Sequence, residues 1–481
     1  MTNQERLKLL EKMSRLKHVE DENVSTADVF LPLPMHRMAL RPEMVIIRGG
    51  RGTGKSALFR FLRTSGPLLR DFFQDTSLPD ASFIDAFSDD SQAHPQPIVL
   101  DSIAATRSMG SLRVFWMTHL LVRIQAGLPG SPPLPPQLVT VREGREHDLA
   151  QWLPWAEANI GQVASALDGL ESYLSKQKRT VFATYDHLDR LGEFDREVRS
   201  RYASSLLALW LSLSNRFRHL RAKIFLRDDL FEDAEGSFAD ASKLRPRSIA
   251  LDWTVEALYR VVVRQLAAPS DEHPSRLKEM RTWLRSIAGL QLTERQGFGL
   301  LPGEMPETVQ RAFADRLTGR LMGKGLKKGF TYRWIPNRLQ DANVRIVPRS
   351  FLVLLGHAAE DAKNRSPGNI NRLMSPQSLV AALVPTSRAR VKEISEEYPI
   401  VNRLENLRGL EVMLERDEVI RRLAKPVPAE HAGLPQNGES VLDELLRIGV
   451  LKERDDGRID VPDIYRYGFD IKRKGGVARP K

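Results

Sequence analysis

The 481-residue chain contains no cysteine, which removes disulfides, thiolate metal sites and cysteine nucleophiles together. Stability and chemistry must therefore come from packing, hydrogen bonds and other side chains, and the composition fits a reducing compartment. No uninterrupted apolar run is long enough to span a bilayer, so no membrane helix is expected. The opening, Met1 to Leu10, is charged and polar and lacks the apolar core of a signal segment, so the chain is expected in the cytoplasm. No repeat at solenoid period is present.

What remains is an ordinary globular composition, 42% hydrophobic and 28% charged, with length for about two to four domains. The formal net charge is +11 and the pI about 9.7. Such a balance either favours a polyanionic partner, because basic surface attracts phosphate backbones, or reflects a generally arginine-rich surface.

Leu7, Leu10, Met13 and Leu16 fall at helical spacing in an opening amphipathic helix. Met44 to Ile47 form a short apolar run that stops at glycine, the pattern of a buried parallel strand, and Ala57 to Leu62 continue as a helix. Pro97 to Ile103 is read as a second strand, Leu112 to Ile124 as a helix, and Gly127 to Pro136 as a loop. Trp152 to Tyr173 reads as helix, Val181 to Tyr185 as strand, Tyr202 to Leu213 as helix, and Lys223 to Leu226 and Ile249 to Trp253 as strands. Alternation of this kind implies a parallel sheet with flanking helices.

Beyond this the pattern becomes helical, through Leu258 to Leu266, Phe351 to Ala362, Ser378 to Leu383 and Arg388 to Glu397. Arg311 to Arg338 carries eight basic residues against the single acid Asp315, with Phe330, Tyr332 and Trp334 interleaved. That stretch suits nucleic acid, but it equally describes a solvated face over a half-buried strand. Val441 to Ile448 reads as a helix closing on Gly449, followed by two strands flanking Asp455-Asp456-Gly457, a winged-helix ending. The expected divisions are an N-terminal helix and arm (1–30), an α/β core (31–266), a helical lid (267–435) containing the basic segment 311–338, a winged helix (436–470) and a basic tail (471–481).

Gly49-Gly50-Arg51-Gly52-Thr53-Gly54-Lys55-Ser56 matches G-x-x-x-x-G-K-[ST] in full, between an apolar strand and a helix. Glycines let backbone amides turn inward around a β-phosphate, with the N-terminus of the helix through Ala57 pointing at it. Lys55 adds a mobile charge for β- and γ-oxygens, and Ser56 would ligate magnesium. ATP with magnesium is the expected ligand. Asp186, ending the strand Val181 to Tyr185, is the expected metal-side carboxylate. Asp189 is placed either to polarise the attacking water or bind the metal, or to cap the following helix. His187 is expected to pack or hydrogen-bond rather than to ligate a metal. Arg227, after Lys223 to Leu226, faces the γ-phosphate if the strands are adjacent, or pairs with Asp228 or Asp229. Arg349, at a helix start, could reach nucleotide, and Arg245 or Arg247 could serve a neighbouring subunit's site or cap the preceding helix.

With these residues in hand, the sequence resembles the AAA+ and STAND branch of P-loop ATPases, nearest to origin-recognition-like and NACHT-like members, over most of its length. Gly49 to Ser56 match Walker A, and Val181 to Asp189 resemble a NACHT-like Walker B. Arg227 falls where that branch has its sensor-1 arginine, and Pro348-Arg349 looks like its sensor-2 region. His187 stands where AAA+ enzymes usually carry the catalytic glutamate, and Arg190 replaces the acid ending the NACHT pattern, which implies slow, switch-like hydrolysis. The resemblance implies an ATP-dependent conformational change, homo-oligomerisation or assembly with a partner protein, and no membrane. Two functions follow: a regulatory ATPase switch, including one serving antiviral defence, or a DNA-binding ATPase of origin-recognition or transposition-helper type. The second would hold duplex DNA through the winged helix, Arg311 to Arg338 and the tail.

Overall fold

The computed structural model describes residues 1–18, 26–90, 93–141, 149–192, 195–238, 240–269, 274–365, 372–427 and 437–473. By internal contacts the chain divides into a sheet unit, Pro32–Gly50 with Gly54–Asp252, and a helical unit, Met1–Leu31 with Arg51–Thr53 and Trp253–Lys481. Each has its own apolar core.

The sheet unit is built on five parallel strands: β1 (Ile46–Arg48), β2 (Ala81–Phe87), β3 (Thr180–Tyr185), β4 (Leu220–Leu226) and β5 (Ser248–Ala250). Their order is β2-β3-β4-β1-β5. Pairing of Arg48 with Leu226 and Ala250, and of Tyr185 with Ile224, brings the carboxyl ends to one edge. In open parallel sheets the crevice outside those ends is where ligands bind. The sheet carries flanking helices and is covered on both faces, as near-continuous apolar strands require. This is the α/β P-loop architecture expected, followed by a helix-rich region.

Two strand assignments differ from expectation. Pro97–Ala104 is a helix with Pro97 in its first turn, because a short apolar run led by proline suits a helix start as well as a strand. The second strand is instead Ala81–Phe87, in which Asp85 interrupts the apolar pattern. Its position is fixed by close approach: a side chain at Gly66 would meet the Phe83 ring at 2.5 Å.

In the helical unit, Ser378 to Glu397 forms part of one helix, Pro376–Glu397. Val255–Ala267, expected to close the core at 266, packs in this unit. The Phe330, Tyr332 and Trp334 alternation is not a strand. Tyr332 and Trp334 lie in the helix Thr331–Leu339, which buries both of them with Ile335 and Leu339. Arg416–Leu423 and Gly438–Arg447 precede an antiparallel pair, Lys452–Glu453 with Ile459–Asp460, which is bridged to Leu414. The tail beyond 473 lies outside the described residues, as does most of the loop 426–438.

Candidate nucleotide-binding site

The glycine loop leaves β1 at the sheet's carboxyl edge, its first amide, Gly49 N–H, donating to the Leu226 carbonyl (3.3 Å). Gly54 adopts φ +94° immediately before the helix Lys55–Phe73, a region closed to side-chain-bearing residues without strain. The Lys55 ammonium donates to the carbonyls of Gly49 (2.6 Å) and Gly50 (2.9 Å), curled over the loop that is to hold phosphate. Ala57 is half-buried in the first helical turn. Arg51, Gly52 and Thr53 group with the helical unit. There Arg51 pairs with Glu396, and the Trp253 indole donates to the Thr53 carbonyl (2.8 Å).

Asp186 follows β3 and is buried, its amide donating to the Phe87 carbonyl (2.9 Å). Burial pushes its carboxyl pKa up, against the lowering pull of His187, a hydrogen bond with Ser56, and Lys55. Oδ2 is buried without a hydrogen-bond partner, with His187 Nε2 3.4 Å away. The strand that carries Asp186 is not next to the P-loop strand: β4 lies between β3 and β1.

The residues fit a magnesium ion: a buried, incompletely satisfied carboxylate lies against the P-loop serine, leaving other coordination positions to phosphate and water, as magnesium prefers. No cluster of three or more histidine or acidic side chains able to hold a metal occurs among the described residues. When bound beside Ser56 and Asp186, the metal would neutralise charge on phosphate oxygens.

Arg227 follows β4, the strand between β1 and β3, so the adjacency it required is present. Its guanidinium forks onto Asp229 (Nε–Oδ1 2.9 Å, Nη2–Oδ2 2.6 Å), both side chains buried, and approaches Asp189 at 3.4 Å. The expected surface pair is thus a buried, bidentate one. Asp228 instead accepts from Arg48 (3.0 Å). Asp189 sits in the 3-10 turn Leu188–Arg190, and it is Asp195 that caps the following helix. Capping is therefore not the role of Asp189.

His187 holds φ +57°, a left-handed conformation that costs a residue with a side chain about 1–2 kcal/mol. Its ring lies between Asp186 and Asp89, and Arg190 also reaches Asp89 (3.3 Å). Sequence reasoning missed Asp89, which follows the unrecognised strand β2.

Arg349 opens the helix Pro348–Lys363 in the helical unit, where its amide donates to the Gly52 carbonyl of the glycine loop (3.4 Å) and its side chain pairs with Glu393 (2.9 Å). Arg245 pairs with Glu235, and Arg247 donates to Asn215 (2.6 Å), so neither caps the preceding helix.

No family model matches the chain, and no curated protein matches it. Among solved structures it is similar to the Walker-type ATPase PABY2304 of Pyrococcus abyssi, at 13% identity and TM-score 0.39, covering 90% of this chain and 93% of that one. It is also similar to the Aeropyrum pernix ORC1 protein in complex with DNA, at 14% identity and TM-score 0.33, covering 92% and 93%. The A. pernix ORC2 protein in ADPNP-ADP complexes gives 11% identity and TM-score 0.31, covering 93% and 99%.

Proposed function

We propose that this chain is an ATP-binding and ATP-hydrolysing switch of the AAA+ kind, directed to DNA in the manner of origin-recognition or transposition-helper ATPases. The observation that carries the ATPase part is convergence at one sheet edge: Lys55 over the glycine loop, Ser56 against buried Asp186, and Arg227 held by Asp229 beside Asp189. In this reading Lys55 and the loop amides hold the β- and γ-phosphates. Ser56 and Asp186 form the magnesium side, Asp189 orients the attacking water, and Arg227 senses the γ-phosphate. With His187 in place of a glutamate, hydrolysis is slow, which suits a state held by ATP.

The DNA part is supported by the net charge of +11 and by lysines without an ion pair among the described residues: Lys324, Lys327, Lys328 and Lys452. The helix Gly438–Arg447 works against groove insertion, since it carries Glu439, Asp443 and Glu444 against the single Arg447. DNA contact is therefore assigned to the lysine loop and the hairpin. That acidic helix favours a second reading, a switch that assembles with itself or a partner protein and serves antiviral defence.

Mass in solution and ATP turnover of wild type and Lys55→Ala, with magnesium and with or without duplex DNA, separate the two. DNA-stimulated turnover with a steep salt dependence supports the first, and ATP-driven assembly indifferent to DNA supports the second. Turnover undiminished in Lys55→Ala sinks both.

A further inference from the structure

The helical unit contains a cavity of about 300 Å³ between the helix Thr331–Leu339 and the hairpin Lys452–Glu453/Ile459–Asp460. This lies at the lower end of the roughly 300–1,000 Å³ range of small-molecule sites. We propose that it is a second ligand site, for a nucleobase carrying a phosphate, either as a free nucleotide or as an unpaired base of a nucleic-acid strand. The inference does not depend on the P-loop reading.

The cavity has the parts such a ligand needs. Trp334 and Phe330 supply aromatic wall, and every base has a face that stacks on an aromatic ring. Asn337 and Gln340 also line it, and among the described residues their side-chain amides make no hydrogen bond. A carboxamide offers donor and acceptor together, the pattern a base edge requires. Lys328 and Lys452 line it without ion pairs among the described residues and are available to a phosphate.

Its charge is biased the same way. Three acids line the wall: Asp341 accepts from the Arg345 amide (2.8 Å) and burial pushes its carboxyl pKa up, which favours its neutral form, while Arg473 reaches Asp460 at 2.8 Å, Arg466 reaches Asp463 at 2.8 Å, and Arg338 pairs with Asp463. Burial would raise the Asp463 carboxyl pKa, but Arg338 and Arg466 hold it below the ordinary range, so the acid is ionised and matched. After these pairings, Arg338 Nε and Arg473 Nε remain buried donors without hydrogen-bond partners. Orphaned buried donors cost stability unless something accepts from them. A cavity this small does not admit a duplex, so the ligand is a single nucleotide unit.

The test is equilibrium dialysis with nucleoside monophosphates and with short single-stranded oligonucleotides, on the full chain carrying Lys55→Ala. Monophosphates lack the β-phosphate that the glycine loop cradles, so their binding reports on this cavity. Lys328→Glu with Lys452→Glu, and separately Asn337→Leu, probe the phosphate and base contacts, with far-UV circular dichroism as the folding control. Saturable monophosphate binding weakened tenfold or more by both sets of changes supports a free nucleotide. The same sensitivity seen only with oligonucleotides supports an unpaired base. Absence of binding by either at millimolar concentration, or binding indifferent to the substitutions, overturns the proposal.

Discussion

Asp189 and Asp229 both face Arg227, and their substitutions should separate cleanly into a catalytic and a structural effect. Arg227 and Asp229 side chains are each 5% exposed and joined by two hydrogen bonds, whereas Asp189 is 24% exposed and 3.4 Å away. Removing one member of a buried pair strands the other charge and costs about 3–5 kcal/mol. In a unit of this size each kcal/mol moves the midpoint by roughly 2–4 °C, so Asp229→Ala should lower melting by about 6–20 °C. A partly exposed contact is worth only about 0–1 kcal/mol, so Asp189→Asn should shift melting by less than about 4 °C. If Asp189 orients the attacking water, its loss should lower turnover by about 100-fold or more, with ATP affinity retained. The assay is differential scanning fluorimetry beside single-turnover ATP hydrolysis. Equal destabilisation by both substitutions, or wild-type turnover in Asp189→Asn, would refute this division of roles.

Arg264 is buried and donates to the carbonyls of Phe30 (3.0 Å), Ala27 (2.6 Å), Leu300 (2.5 Å) and Phe298 (2.6 Å). Arg264→Met should cost about 3 kcal/mol or more through stranded acceptors, with Arg264→Lys intermediate in urea unfolding; a neutral Met variant would contradict it. Buried Lys223 donates to Arg41 and Met44 carbonyls (2.6 and 2.7 Å), and burial pushes its pKa well below 10.5. Between the folded and unfolded values the unfolded chain binds more protons, so this group makes stability rise with pH. Urea midpoints from pH 7 to 10 should therefore rise in wild type relative to Lys223→Met, and parallel curves would remove the assignment. Gly54→Ala, at φ +94°, should strain the loop by about 1–2 kcal/mol, lower the melt by roughly 2–8 °C and weaken ATP binding, which calorimetry can check.

The contrast between β1 and β2 shows what was legible. Met44 to Ile47 ahead of glycines and Lys55 announces strand, loop and helix within a dozen or so residues, because each of those contacts is local. Strands β3 and β4 were legible for a related reason: parallel strands buried on both faces read as apolar runs. Strand β2 hid behind Asp85, whose carboxylate is sustained by Arg63 (3.0 Å), His94 (3.1 Å) and Ser88 (2.8 Å). Burial raises its pKa, but those partners bring it below the ordinary value.

The sequence by itself therefore determined the glycine loop, the strand carrying Asp186 and the parallel α/β character of the core, since period and motif encode them residue by residue. Only the tertiary structure decided that β4 stands between β1 and β3, that Arg227 is anchored by Asp229, and that Asp195 rather than Asp189 caps the next helix. It alone brought Asp89 beside His187 and closed the cavity beside Trp334. Strand order and side-chain pairing are set by which distant surfaces bury one another. Desolvation and charge pairing over such distances leave no periodic trace along the chain.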